Sequence, residues 1–86
     1  MLKIDDFKDY GIYEETLKWE RFKENGLDKE IDLIFCAEPF KDNVWYEVIV
    51  GACLDDEFKV EQLSDRLYSL KKAIEWWNNY FKKEEK

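Results

Sequence analysis

Apolar residues recur most regularly in the last third of the chain. Leu63, Leu67, Leu70, Ile74, Trp77 and Phe81 follow one another at steps of 4, 3, 4, 3 and 4, the spacing of one helix face. Val60, Ala73, Trp76 and Tyr80 widen the stripe. The pattern predicts an amphipathic helix from about Val60 to Lys83, roughly 36 Å long at 1.5 Å per residue. Glu61 and Asp65 then fall in its first turns and Lys82, Lys83 and Lys86 at its end, as the helix dipole favours.

Before it, the period changes to two. Ile31, Leu33, Phe35 and Ala37 share one face of a predicted strand, and Val44 to Leu54 is dense in β-branched and aromatic residues. Pro39 ends the first strand and Lys41-Asp42-Asn43 supplies turn chemistry, so the two form an antiparallel hairpin. With Glu38 opposite Val44, Cys36 faces Tyr46, and Cys53 lies about 23 Å further along. Gly51 inside the second strand marks a bulge or a close backbone approach.

The first third is less regular. Ile4 to Tyr10 reads as a short helix stopped by Gly11, with Ile12 reaching back to Phe7. Tyr13 to Asn25 supports two readings. As a helix it would scatter Tyr13, Leu17, Trp19 and Phe22 around its circumference. As a strand it would place Leu17 and Trp19 on one face and turn at Asn25-Gly26, a favoured type I′ pair. That turn sets Lys23 against Asp28 and Arg21 against Glu30, both favourable cross-strand pairs. The strand is preferred. The expected fold is therefore α+β, in the order α-β-β-β-α: a short N-terminal helix, a three-stranded antiparallel meander and a long C-terminal amphipathic helix on one face.

Composition narrows the function. Residues 1–86 suffice for a single small acidic domain, with 82–86 expected as a solvated tail. A chain 17% aromatic and 45% hydrophobic is too apolar to be a disordered tail. The net charge of −7 argues against direct binding to nucleic acid or to anionic lipid. Acids at Asp5-Asp6 interrupt the place where a signal peptide would be apolar, and no run approaches the length that spans a bilayer. The expected location is cytoplasmic, the host cytoplasm if the chain is phage-encoded.

Chemistry-bearing motifs are scarce. There is no histidine, the three glycines stand singly at 11, 26 and 51, and Ser64 and Ser69 have no base beside them. Cys36 and Cys53 sit in apolar company without C-x-x-C spacing and read as small core residues. Asp55-Asp56-Glu57 lacks the D-x-D-x-D-G order of a calcium loop. No catalytic residue, metal site or cofactor is assigned, and the expectation is a protein that is not an enzyme.

Charge distribution is more informative. Residues 31–65 carry −7, residues 1–30 carry −3 and residues 66–86 carry +3. The partner-binding candidates are thus Asp55, Asp56, Glu57, Glu61 and Asp65, with Asp42 and Glu47 beside them. Trp76, on the margin of the helix stripe, is a candidate contact for a partner or a second copy.

In size, acidity and lack of catalytic residues the chain resembles small phage-encoded inhibitors of host defence or nucleic-acid enzymes, including anti-CRISPR proteins and DNA mimics. The likeness is one of type and transfers no residue. It implies an inhibitor whose acidic face docks on the basic site of a nucleic-acid-binding effector. The alternative is a structural or regulatory subunit that forms a homodimer through the aromatic margin of the last helix.

Overall fold

In the computed structural model, which describes residues 1–7, 9 and 11–84, Asn25 and Gly26 take φ values of 54° and 79°. Positive φ at both positions is what a type I′ turn requires. The turn joins β1 (Tyr13–Glu24) to β2 (Leu27–Glu38) with Lys23 opposite Asp28 and Arg21 opposite Glu30, the register expected from the sequence. Both pairs are salt bridges, at 3.8 and 3.2 Å. A bulge at Leu17 then shifts the ladder, pairing Thr16 with Ile34 and Lys18 with Leu33.

β2 pairs with β3 (Asn43–Leu54) through a connection of four residues, Pro39 to Asp42. Pro39–Lys41 form one 3-10 turn, and Asp42 closes it in the left-handed region at φ 51°. Glu38 therefore faces Asn43 and Cys36 faces Trp45, one residue from the expected register. A slip of one residue exchanges the two faces of a strand. The observed pairing unites Ile31 with Val50 and Leu33 with Val48 on one side.

The expected order of elements is corrected to β-β-β-β-α. A fourth strand, β4 (Glu57–Leu63), occupies the segment expected to begin the long helix, and Asp55-Asp56 forms the turn into it, with Asp55 at φ 53°. The sheet runs β1-β2-β3-β4, every neighbour antiparallel. Among the described residues the N-terminal helix is absent: Ile4–Phe7 make one 3-10 turn, in which Asp6 accepts the Lys3 N–H at 2.8 Å. The remainder of that expected helix includes Lys8 and Tyr10, which lie outside the described residues.

After β4 the chain stays beside β3. Ser64 is buried, and its hydroxyl accepts the Val48 N–H at 2.9 Å where the ladder loosens. Leu67 and Tyr46 then exchange both backbone hydrogen bonds. The helix α1 (Leu70–Glu84) begins only here, capped by Ser69, whose hydroxyl accepts the Lys72 N–H at 3.1 Å.

α1 covers one face of the sheet. Ala73 and Trp77 pack on Ile31, Leu33, Val48 and Val50, with Phe22, Tyr46, Leu67, Trp76, Tyr80 and Phe81 around them. Phe22 meets Tyr80 and Phe81 edge-on, at 6.0 and 5.1 Å between ring centres. At the rim of this core, Lys29 is 7% exposed and bonded to Glu24 and, at 2.8 Å, to Glu61. Glu24 also accepts the Tyr80 hydroxyl at 3.0 Å. One ammonium group thereby connects β1, β2 and β4, and through Glu24 the helix.

Candidate functional site

The structure separates the acids that the sequence grouped. Asp55, Asp56 and Glu57 stand together and exposed at the β3–β4 turn. Antiparallel pairing brings that turn to the same end of the sheet as Asn25-Gly26, so Asp28 lies near it. An open cleft of about 480 Å³ at this end is lined by Arg21, Phe22, Lys23, Asp28, Cys53 and Asp55. Asp42 is at the far end of the sheet, in the β2–β3 connection.

Glu61 and Asp65 leave the expected helix for β4 and the segment after it. Glu61 is engaged by Lys29. Glu47 lies on the face away from α1, where one of its oxygens accepts the Trp45 indole N–H at 2.9 Å and the Cys36 thiol at 3.1 Å. Arg66 lies 4.0 Å above the Trp45 ring. Trp76 is half-buried and stacks on Tyr80, 6.2 Å between ring centres and 7° from parallel. Among the described residues, Asp42, Asp55, Asp56, Glu57 and Asp65 make no side-chain ion pair.

Two ionisable groups on the face away from α1 are strongly shifted. Burial pushes the Cys36 thiol up to about 12, reinforced by its hydrogen bond to Glu47, so it is protonated and inert at neutral pH. Burial also raises Asp32 to about 6, helped by the hydrogen bond and the charge it shares with Glu30. Two carboxylates side by side with one near neutrality is an arrangement that acid–base catalysts use. Here the pair is half-buried on the sheet face, and the cleft at the hairpin ends leaves Asp32 out. No group of three or more candidate ligands for a metal ion occurs among the described residues, and no helix among them is long and apolar enough to cross a membrane.

Asp32 and its neighbours escaped the reading of the sequence. The pairing set by Asn25-Gly26 runs unbroken to Trp19 opposite Asp32, and that extension was the available signal. Asp32 in turn faces Ile49, and Ile49 faces Leu63. A single row thus crosses all four strands, about 14 Å from end to end. Compared with protein-family models, with curated proteins and with solved structures, the chain matches none.

Proposed function

We propose that the protein is a small acidic, non-enzymatic binding protein, an inhibitor that docks an acidic face on the basic, nucleic-acid-binding site of a partner, in the manner of phage anti-defence proteins and DNA mimics. The observation that supports this reading is the β3–β4 turn. Asp55, Asp56 and Glu57 project there as three consecutive exposed carboxylates, and no cation among the described residues is paired with them. Charge left uncompensated at one end steers a cationic partner and does little for the fold.

The test is affinity capture from a source-cell lysate at low and high salt, using wild type and the Asp55→Lys, Asp56→Lys double variant. A basic nucleic-acid-binding partner, released by salt and lost from the double variant, is the expected result. Equal recovery by both proteins would overturn the acidic-end mechanism.

A further inference from the structure

An antiparallel sheet covered on one side normally turns polar residues to water on the other. Here the face opposite α1 gathers apolar residues along β3 and β4, with Trp19 and Ile34 beside Asp32. Trp19 is 59% exposed and Leu63 54%, at the two ends of the row that crosses the sheet through Asp32 and Ile49. Ile34, half-buried, follows Asp32 on the same face of β2. Val60 and Phe58, both exposed, extend the patch along β4. Exposed apolar side chains gathered in this way mark a contact with another macromolecule.

The charge on this face specifies the partner. Asp32 shares a hydrogen bond with Glu30, and its Oδ1, hidden from solvent, has no partner of its own. The cations nearby are taken: Arg21 is bonded to Glu30 at 3.2 Å and Lys23 to Asp28 at 3.8 Å. Glu47, two residues from Ile49 on the same face, adds a further carboxylate. A second copy of the chain would bring another Asp32 and another seven negative charges, and a phosphate backbone would be repelled likewise. A guanidinium or ammonium group supplies the countercharge that these carboxylates lack.

We propose that this uncovered sheet face docks a segment of a basic protein that seats an arginine or lysine side chain on Asp32 and lays apolar side chains against Trp19, Ile49 and Leu63. The inference rests on the reading of the partner as basic, and adds to it a surface, an anchor residue and a side-chain pattern. In an extended segment, residues two positions either side of the cation fall on its own face, matching the apolar positions around Asp32.

The probe is a seven-residue peptide, acetyl-Thr-Leu-Thr-Arg-Thr-Leu-Thr-amide, beside the same peptide with neutral citrulline in place of arginine. Both are titrated into isotopically labelled protein and followed by NMR at the Asp32 carboxyl, the Trp19 indole, the Ile49 and Leu63 methyls, and the Asp55, Asp56 and Glu57 carboxyls. The arginine peptide should shift the first four groups in one saturable process, with citrulline at least tenfold weaker. Asp32→Asn should abolish that preference, and Trp19→Ala, at an exposed position, should weaken both peptides. Shifts confined to Asp55–Glu57 would overturn this proposal while sparing the acidic-end mechanism. Equal binding of both peptides would leave an apolar patch without charge recognition and overturn it also. So would concentration-dependent shifts of the face without peptide, which would identify a second copy as its cover. No shift at any of these groups would count against both readings.

Discussion

The Phe58 ring lies over Gly51 so closely that a Cβ on residue 51 would come within 2.6 Å of two ring carbons and of the Lys59 carbonyl oxygen. An aromatic ring laid across a cross-strand glycine shields backbone that would otherwise be open to water. One of the obstructing atoms is backbone, so a small rotation of the ring cannot relieve the whole clash. Gly51→Ala is expected to destabilise the protein by about 1–3 kcal/mol, seen as a Tm lower by roughly 4–8 °C per kcal/mol. Adding Phe58→Ala should recover only part of the loss. A Gly51→Ala protein that melts with wild type would show that the ring does not occupy this position in solution.

Lys29 answers to two carboxylates, and removing it leaves both near the core without their cation. Lys29→Met should therefore lower stability by about 3 kcal/mol in urea or thermal unfolding. Combining it with Glu24→Gln and Glu61→Gln should restore much of that difference. The hydrogen bonds from Lys29 to Glu24 and Glu61 raise its pKa, so its contribution is whole below the ordinary lysine value and disappears as pH rises through the raised one. A single variant as stable as wild type would mean that the ion pairs contribute nothing net.

Asp32 runs the other way. Its pKa rises from 3.8 to about 6 on folding, so between these values the folded chain holds a proton that the unfolded chain has released. Stability from this group therefore falls as pH rises from about 4 to 6, and the penalty is complete above that. Asp32→Asn, which keeps the shape and removes the charge, should stabilise the protein by about 1–3 kcal/mol at pH 7 and flatten this part of the pH profile. An unchanged profile in the variant would remove Asp32 as its source.

The two thiols should differ in reactivity. Cys36 is fully buried and donates to Glu47, whereas Cys53 is half-buried and lines the cleft at the hairpin ends. In native protein a thiol reagent should modify Cys53 well before Cys36, with Cys36 reacting only on unfolding. Mass spectrometry of the partly modified protein identifies the site. Early labelling of Cys36 would contradict the packing around Trp45.

What the sequence revealed and what it hid have one physical origin. The Asn25-Gly26 turn is chemically unambiguous, and its register could be followed residue by residue as far as Trp19 and Asp32. β4 was concealed by its own irregularity. A shift in pairing between Val50 and Gly51 puts Val60 and Leu63 on one face of the sheet three positions apart, and a bulged strand thereby imitates a helical step. The bulge at Leu17 scatters the apolar residues of β1 in the same way. Ser69 stood at the true start of the helix as a capping residue, but the apolar stripe continued past it toward Val60. The candidate acids were legible as a charge excess. Their separation was within reach too, because Asp42 precedes β3 and Asp55 follows it, which puts them at opposite ends of the sheet.

The order of strands across the sheet is their order along the chain, and α1 comes after all of them. During synthesis the four strands therefore leave the ribosome, and can pair hairpin by hairpin, before the helix that covers Ile31, Leu33, Val48 and Val50 is available. For that interval the nascent sheet has two bare apolar faces instead of one. The charged side chains along β1 and at the turns then oppose sticking to other nascent chains before α1 can cover its face.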